Sequence, residues 1–388
     1  MRSDVPVRRL LCAAVACVAT LTLATPSSAA LRTAGDSDSE PMGGPLLGST
    51  AVVFTPRPGV PVPPAVRASS YVVADLDSGQ VLAAKNAHGQ FAPARTLKML
   101  TAITFIPRLD ADQRIKATYE AAAVDGTKVG VVPDAAYTVR ELMMAMLIMS
   151  ANDAATALTT AHQSHAAGLK LMNEEAARLH ADDTVARTPS GLDAKGQVSS
   201  AYDLALIARA GMNMPDFRYY VGTRRSSFSA PKNKKYEIYT HNHLLLNYKG
   251  TLGIKNGYTV KARASFVGAA ERNGRRLVVA LMHGEPLLWK EAARLLNWGF
   301  AGGGAIASVG QLVDPDPLPG SELAEGAPSG TAALGAPRPK ASGGLNVPMA
   351  PVAAAGGIVF LFTALRIRAR RRRGFRMRPR SKFSLPPI

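Results

Sequence analysis

Eighteen consecutive uncharged residues, Pro348 to Leu365, run straight into a tail that carries ten positive charges and no acid. Few features limit a chain more, because about eighteen apolar residues are the minimum for a helix to cross a bilayer core of roughly 30 Å. The tail holds Arg366, Arg368, Arg370, Arg371, Arg372, Arg373, Arg376, Arg378, Arg380 and Lys382. A basic cluster abutting a span marks its cytoplasmic side. A nucleic-acid-binding arm would need the tail soluble and free, so no nucleic-acid partner is expected. At the other end Arg2, Arg8 and Arg9 frame the start of an apolar run from Leu10 to Ala24, and small residues follow from Ser27 to Ala30. That reads as a secretory leader at 1–30, since the run is too short for a span and its downstream flank is wrong. The expected arrangement is export, a transmembrane helix at 348–365, a basic cytoplasmic tail at 366–388, and everything between on the outer side.

These two ends account for most of the charge. Removing them from the formal +18 leaves about +6 for the rest of the chain, a modest basic surface suited to anionic cell-surface polymers. Cys12 and Cys17 are the only cysteines and both fall in the leader. A lipid-modified Cys17 lacks the usual upstream Leu, so the mature chain has no thiol, and redox or thiolate-metal chemistry is excluded.

Residues 31–69 and 303–347 are rich in Pro, Gly, Ser and Asp or Ala without apolar period, and read as linkers. The second, as a 45-residue coil, would span roughly 35–40 Å. About 230 residues, 70–302, remain for one core. Ser70 to Asp75 and Gln80 to Ala84 flank Asp77-Ser-Gly79, a hairpin pattern. A helix is predicted from Pro93 to the residue before Pro107. Val139 to Ala157 and Ala166 to Leu179 are apolar at helical spacing. Gly253 to Gly257, Ala264 to Ala270 and Arg276 to Met282 read as strands, the last two joined by Glu271-Arg-Asn-Gly274. Leu287 to Phe300 closes the domain as a helix. Strands at both ends with helices between predict an α+β fold, an antiparallel sheet with an inserted helical lobe.

Three short segments stand out by order and spacing: Arg95-Thr96-Leu97-Lys98 on the early helix, Ser150-Ala151-Asn152 in the helical lobe, and Lys255-Asn256-Gly257 on a late strand. Taken singly they are weak, for Lys98 alone reads as a solvated helix lysine and Asn152 with Asp153 as a local cap. Together they resemble the three signature boxes of the penicillin-binding serine peptidases, and most closely the low-molecular-mass D-alanyl-D-alanine carboxypeptidases. Thr188-Pro-Ser-Gly-Leu-Asp193, Ser200 to Leu206 and Asn242-His-Leu-Leu245 extend the resemblance over essentially all of 70–302.

The resemblance implies a penicillin-binding/β-lactamase-like transpeptidase fold and peptidoglycan stem peptides as ligands, with no metal and no cofactor. It implies that a Ser opens the first box as nucleophile and that Lys98, three residues on and on the same helix face, is its base. Ser150 would relay a proton and Asn152 would hold substrate backbone. Lys255 would favour the carboxylate end of the peptide, and Gly257 would let the peptide lie against the strand edge. Three positions depart from the pattern. Arg95 stands where the nucleophile is expected, and a guanidinium stays protonated and does not attack. Asn256 replaces the usual Thr, and Arg263 stands where Gly is common. Arg95, Lys98 and Lys255 would converge, pushing Lys98 toward its neutral form or recruiting an anion. Thr96 is a poor substitute nucleophile, being rotated about 100° from the cleft.

Two other patterns carry little. Ser229-Ala-Pro-Lys232 matches the spacing of the first box but reads as a loop. His241 and His243 would share a strand face with no third ligand in view. Nothing in the pattern selects an oligomeric state. Two functions remain: a carboxypeptidase working through another hydroxyl, or a silent relative that binds wall peptides or a partner through Asn152, Asn256 and the basic cleft. A class A β-lactamase would need a downstream glutamate box, which is missing.

Overall fold

The computed structural model describes residues 40–232 and 234–317. The leader, the expected span at 348–365 and the basic tail lie outside the described residues. No helix among those described is long and apolar enough to cross a membrane.

In chain order the strands are β1 (Val52–Phe54), β2 (Ser70–Asp75), β3 (Gln80–Lys85), β4 (Arg114–Lys116), β5 (Ala136–Thr138), β6 (Arg225–Ala230), β7 (Lys234–Tyr239), β8 (Thr251–Thr259), β9 (Arg263–Arg272), β10 (Arg275–Gly284) and β11 (Gly310–Gln311). The helices are α1 (Lys98–Phe105), α2 (Tyr119–Ala123), α3 (Val139–Ile148), α4 (Asn152–Thr160), α5 (His165–Arg178), α6 (Ala201–Asn213), α7 (Pro215–Gly222), α8 (His243–Asn247) and α9 (Leu288–Gly302). The main sheet is antiparallel in the order β1-β3-β2-β10-β9-β8, with β11 also pairing β3. Between β3 and β8 the chain leaves the sheet to build the helical lobe. The fold is therefore α+β, as the order of patterns predicts.

Period-2 alternation on β10 explains the two-sided core. Leu277, Val279 and Leu281 pack with Leu295, Leu296 and Trp298 of α9 on one face. Val278, Ala280 and Met282 face α1, α4 and α6 on the other. The β9–β10 hairpin turns at Asn273 (φ 51°) and Gly274 (φ 77°), two left-handed residues in succession, which suits the strand twist.

The folded unit is wider than 70–302, and the linkers read at 31–69 and 303–347 are in part structured. Leu47 is 1% exposed and Leu312 is fully buried, so short apolar stretches inside Pro/Gly-rich sequence reach the core. Residues 55–68 run over α9, where Trp298 Nε1 donates to Pro61 O at 2.7 Å. The Glu291 carboxylate accepts from the Arg67 and Ala68 amides. At the other end Tyr202 Oη donates to Gln311 O at 2.8 Å, and Arg209 donates to Leu312 O and pairs with Asp314. Proline and glycine density hid these straps, because they are held by side chains reaching out from elements far away in sequence.

The helix predicted over 139–157 is also two helices. α3 ends at Ile148, and Ser150 takes a left-handed conformation (φ 67°) before α4 begins. Apolar spacing runs through the break because both helices bury the same side.

A chain trimmed to 70–302 should melt well below one that keeps 40–317. Losing Leu47, Ile306, Val309 and Leu312 from the core removes about 1.5–3 kcal/mol each, a drop on the order of 10 °C or more. Matching melting temperatures by calorimetry would refute this account of the straps.

Candidate active site

A single 3-10 turn, Ala94–Leu97, leads into α1 and carries Arg95 and Thr96. Ala94 sits at φ 50°, a conformation that costs a residue with a Cβ. Packing holds it there. The Pro93 carbonyl accepts from Ser265 Oγ of β9 at 2.5 Å and from Thr96 Oγ1 at 2.6 Å. Gly191 and Gly257 press against the turn, for a Cβ on Gly191 would lie 1.8 Å from Ala94 O and one on Gly257 2.6 Å from Arg95 N. The predicted helix start at Pro93 is thus a tight turn first, and the turn aims residue 95 into the cleft between sheet and lobe. Thr96 points the other way, as its rotation predicts, with its hydroxyl already given to Pro93.

Lys98 opens α1 and is fully buried. Its Nζ donates to Asn152 Oδ1 and to Ser190 O, each at 2.7 Å. Burial first, then the charges of Lys255 and Arg95, hold its amine well below the ordinary lysine pKa. The solvated-helix reading of Lys98 therefore falls.

Asn152, also fully buried, donates from Nδ2 to Asp125 O at 2.6 Å. Beside it, Asp153 accepts from the backbone amides of Val129, Gly130 and Val131 at 2.7–3.0 Å. These bonds fix the 125–131 loop over the cleft. Ser150 is 2% exposed, and its Oγ has no hydrogen-bond partner among the described residues.

The third segment lies on β8, the last strand in the sheet order. Lys255 is fully buried, donates to Asn256 O at 2.9 Å, and is brought down to about 7 by burial and then by Arg95. The half-buried Arg95 has its own pKa lowered by burial, and its Nε finds no acceptor among the described residues. The three cations expected to converge do so: Arg95 depresses both lysines and Lys255 depresses Lys98, in a space where the one carboxylate acting on Lys98, Asp153, is engaged with backbone amides. Arg263 takes a left-handed conformation (φ 58°) and pairs with Glu285, which is the backbone reason for a glycine preference there.

Some parts of the site carried no role in the sequence reading. Ser190 O, Gly191 and Asp193 come from the 188–193 stretch, which was singled out only as a string; Asp193 accepts from Thr259 Oγ1 at 2.8 Å. Ser229 instead bonds Glu141 on the lobe, and Lys232 sits in the turn between β6 and β7, so that string makes no site. His241 lies in the loop before α8 and His243 opens α8, so they share no strand face.

Lys255 supplies a pH signature. Its folded pKa of about 7 lies below the unfolded lysine value of about 10.4. Between those values the unfolded chain binds a proton that the folded chain lacks, so stability rises with pH across that window; Lys98 acts in the same direction. Arg95→Ser removes one cause of the depression, so the rise in melting temperature from pH 7 to 9 should be smaller in that variant. Equal slopes would show that the Arg95 charge is not felt at Lys255.

Comparison with known proteins places this geometry. The family profile described as D-alanyl-D-alanine carboxypeptidase matches residues 58–285. The D-alanyl-D-alanine carboxypeptidase DacB2 of Mycobacterium tuberculosis is 40% identical over 264 residues, covering 66% of this chain and 90% of that protein. DacF of Bacillus subtilis is 29% identical over 55% of this chain and 57% of its own length. Among solved structures, a D-alanyl-D-alanine carboxypeptidase from M. tuberculosis superposes with a TM-score of 0.63 at 39% identity, covering 66% of this chain and 98% of that one. Penicillin-binding protein 6B from Escherichia coli gives 0.57 at 30% identity, over 63% and 80%. With a profile match across most of the folded unit, and with the three segments gathered in one cleft, the chain belongs to the D-alanyl-D-alanine carboxypeptidase family and has its penicillin-binding fold.

Proposed function

We propose that this chain is an exported, membrane-anchored family member that binds peptidoglycan stem peptides but does not form an acyl-enzyme. The observation that carries the reading is the pairing of Arg95 with Lys98. The amine suited to act as base is buried beside the head of α1 with its pKa held well below the ordinary lysine value, while the side chain at that head is a guanidinium. The nearby hydroxyls do not repair this. Thr96 Oγ1 is committed to Pro93 O. Lys98 Nζ has its hydrogen bonds with Asn152 and Ser190, not with Ser150.

Binding keeps its chemical support. Asn256 and Arg95 beside Lys255 offer donors to a terminal carboxylate, and β8, the last strand of the sheet, offers its outer edge to a strand-like ligand. In this reading Ser150 is a polar contact for ligand and Lys98 a structural strut. The apolar run at 10–24 with its basic start, and the uncharged stretch at 348–365 with its basic tail, support placing the domain on the outer face of the plasma membrane, where wall precursors are handled.

Incubation with a fluorescent penicillin, followed by denaturing electrophoresis, tests the reading. The unmodified protein should carry no covalent label, and Arg95→Ser should gain one, since Lys98 already sits three residues on with its pKa lowered by burial. Label on the unmodified protein would establish a working enzyme that uses another hydroxyl.

A further inference from the structure

A recess of about 700 Å³ opens on the helical lobe, and Arg95, Lys98 and Lys255 take no part in lining it. β5 and the head of α3 line it through Tyr137, Thr138 and Glu141, and the β6–β7 hairpin through Ser226, Ser227 and Ser229. Five cations share the lining: Arg114 of β4, Arg140 of α3, and Lys232, Lys234 and Lys235 of the hairpin. The Ser229-to-Lys232 string, which makes no catalytic site, therefore does have a place. Tyr236 Oη donates to Val129 O, and Val132 N donates to Tyr137 Oη at 2.9 Å. The recess is thus braced on the loop that lies over the cleft.

These cations meet little opposing charge. Among the described residues the lysine ion pairs are Lys116–Asp134 and Lys170–Glu174, so the three hairpin lysines have none. Arg140 meets Asp112 at 3.1 Å, an exposed pairing of the kind that is worth little. Glu141, the one acid among the described lining residues, spends its carboxylate on Thr138 N at 2.9 Å and on the hydroxyls of Thr138 and Ser229. The cations come from three separate parts of the lobe, around a volume several times that of one phosphate group. A chain of anions fills such a space where a single anion does not. A bilayer is flat, and among the described lining residues no exposed Leu, Ile, Val or Met is there to enter it.

We propose that this recess is a docking site for a phosphodiester-linked polymer, a flexible chain of polyol or sugar phosphates. Charge complementarity argues for the occupant. Each diester stays ionised and offers two free oxygens, which suit the guanidinium forks of Arg114 and Arg140, the lysine amines and the serine hydroxyls. Tyr219, in the same lining and 56% exposed, offers a ring with a polar tip to the hydroxylated carbons between the phosphates. The site stands apart from the peptide cleft and does not depend on what that cleft binds.

Lysine footprinting on the full chain in detergent tests this, with acetylation of each lysine read by mass spectrometry in the presence and absence of poly(glycerol phosphate). The basic tail attracts any polyanion, so shielding is scored lysine by lysine. Lys232, Lys234 and Lys235 should be shielded at polymer concentrations that leave the exposed Lys195, Lys249 and Lys261 reactive. Arg114→Gln, at an exposed position, should weaken that shielding roughly five- to tenfold at about 0.1 M salt, the effect of one lost phosphate contact. Lys261→Gln, an equal change of charge elsewhere, should leave it in place. Polygalacturonate, a carboxylate polymer, and dihexanoylphosphatidylglycerol, a soluble lipid with the same diester, should each shield far less at matched charge. Equal shielding by polygalacturonate would overturn the choice of phosphodiester, and equal shielding by the lipid would overturn the choice of a polymer. Shielding that is absent, uniform over all lysines or indifferent to Arg114→Gln would overturn the site itself.

Discussion

A lysine amine with no access to water sits where the sheet, the helical lobe and the 188–193 segment meet, and the cleft depends on how it is accommodated. A charged ammonium there would cost far more than its two hydrogen bonds return. The protein answers with an amine pKa held well below the ordinary lysine value and with hydrogen bonds from Nζ to Asn152 and Ser190. Those partners belong to separate elements, so one side chain ties α1 to the head of α4 and to the loop that carries Gly191. Asp153 extends the same joint through its amide contacts with residues 129–131. The cleft is therefore a rigid feature of the core.

Arg95 enters that arrangement as a third cation beside two buried lysines. On the reading proposed above, a guanidinium at the head of the first segment leaves the site short of negative charge and without an attacking hydroxyl there. Geometry around it is otherwise tight: Gly191, Gly257 and Ser265 still grip the turn.

Much of this was legible from sequence because the deciding interactions are local. The Asp77-Ser-Gly79 and Asn273-Gly274 turns fixed two hairpins, and alternation along residues 264–282 fixed their faces. The three segments stood out through spacing within a few residues of each. What escaped was set by distant partners. The break at Ser150 hides inside a continuous apolar period, and the 3-10 turn at 94–97 exists because Gly191 and Gly257 come close to it. The straps at 40–68 and 306–314 looked like linker because their holding groups, Glu291, Trp298, Tyr202 and Arg209, lie on helices elsewhere in the chain.

Those straps have a further consequence through the strand they join. Both β1 and β11 pair with β3, at the opposite end of the sheet from β8. Five strand spacings, roughly 24 Å, separate that edge from the strand that borders the cleft. The chain thus enters and leaves its folded body along one flank while the ligand-facing edge looks out from the other. Lengthening or trimming either strap therefore acts on the sheet at the edge farthest from Lys255 and Gly257, and reaches the cleft only through the four strands between.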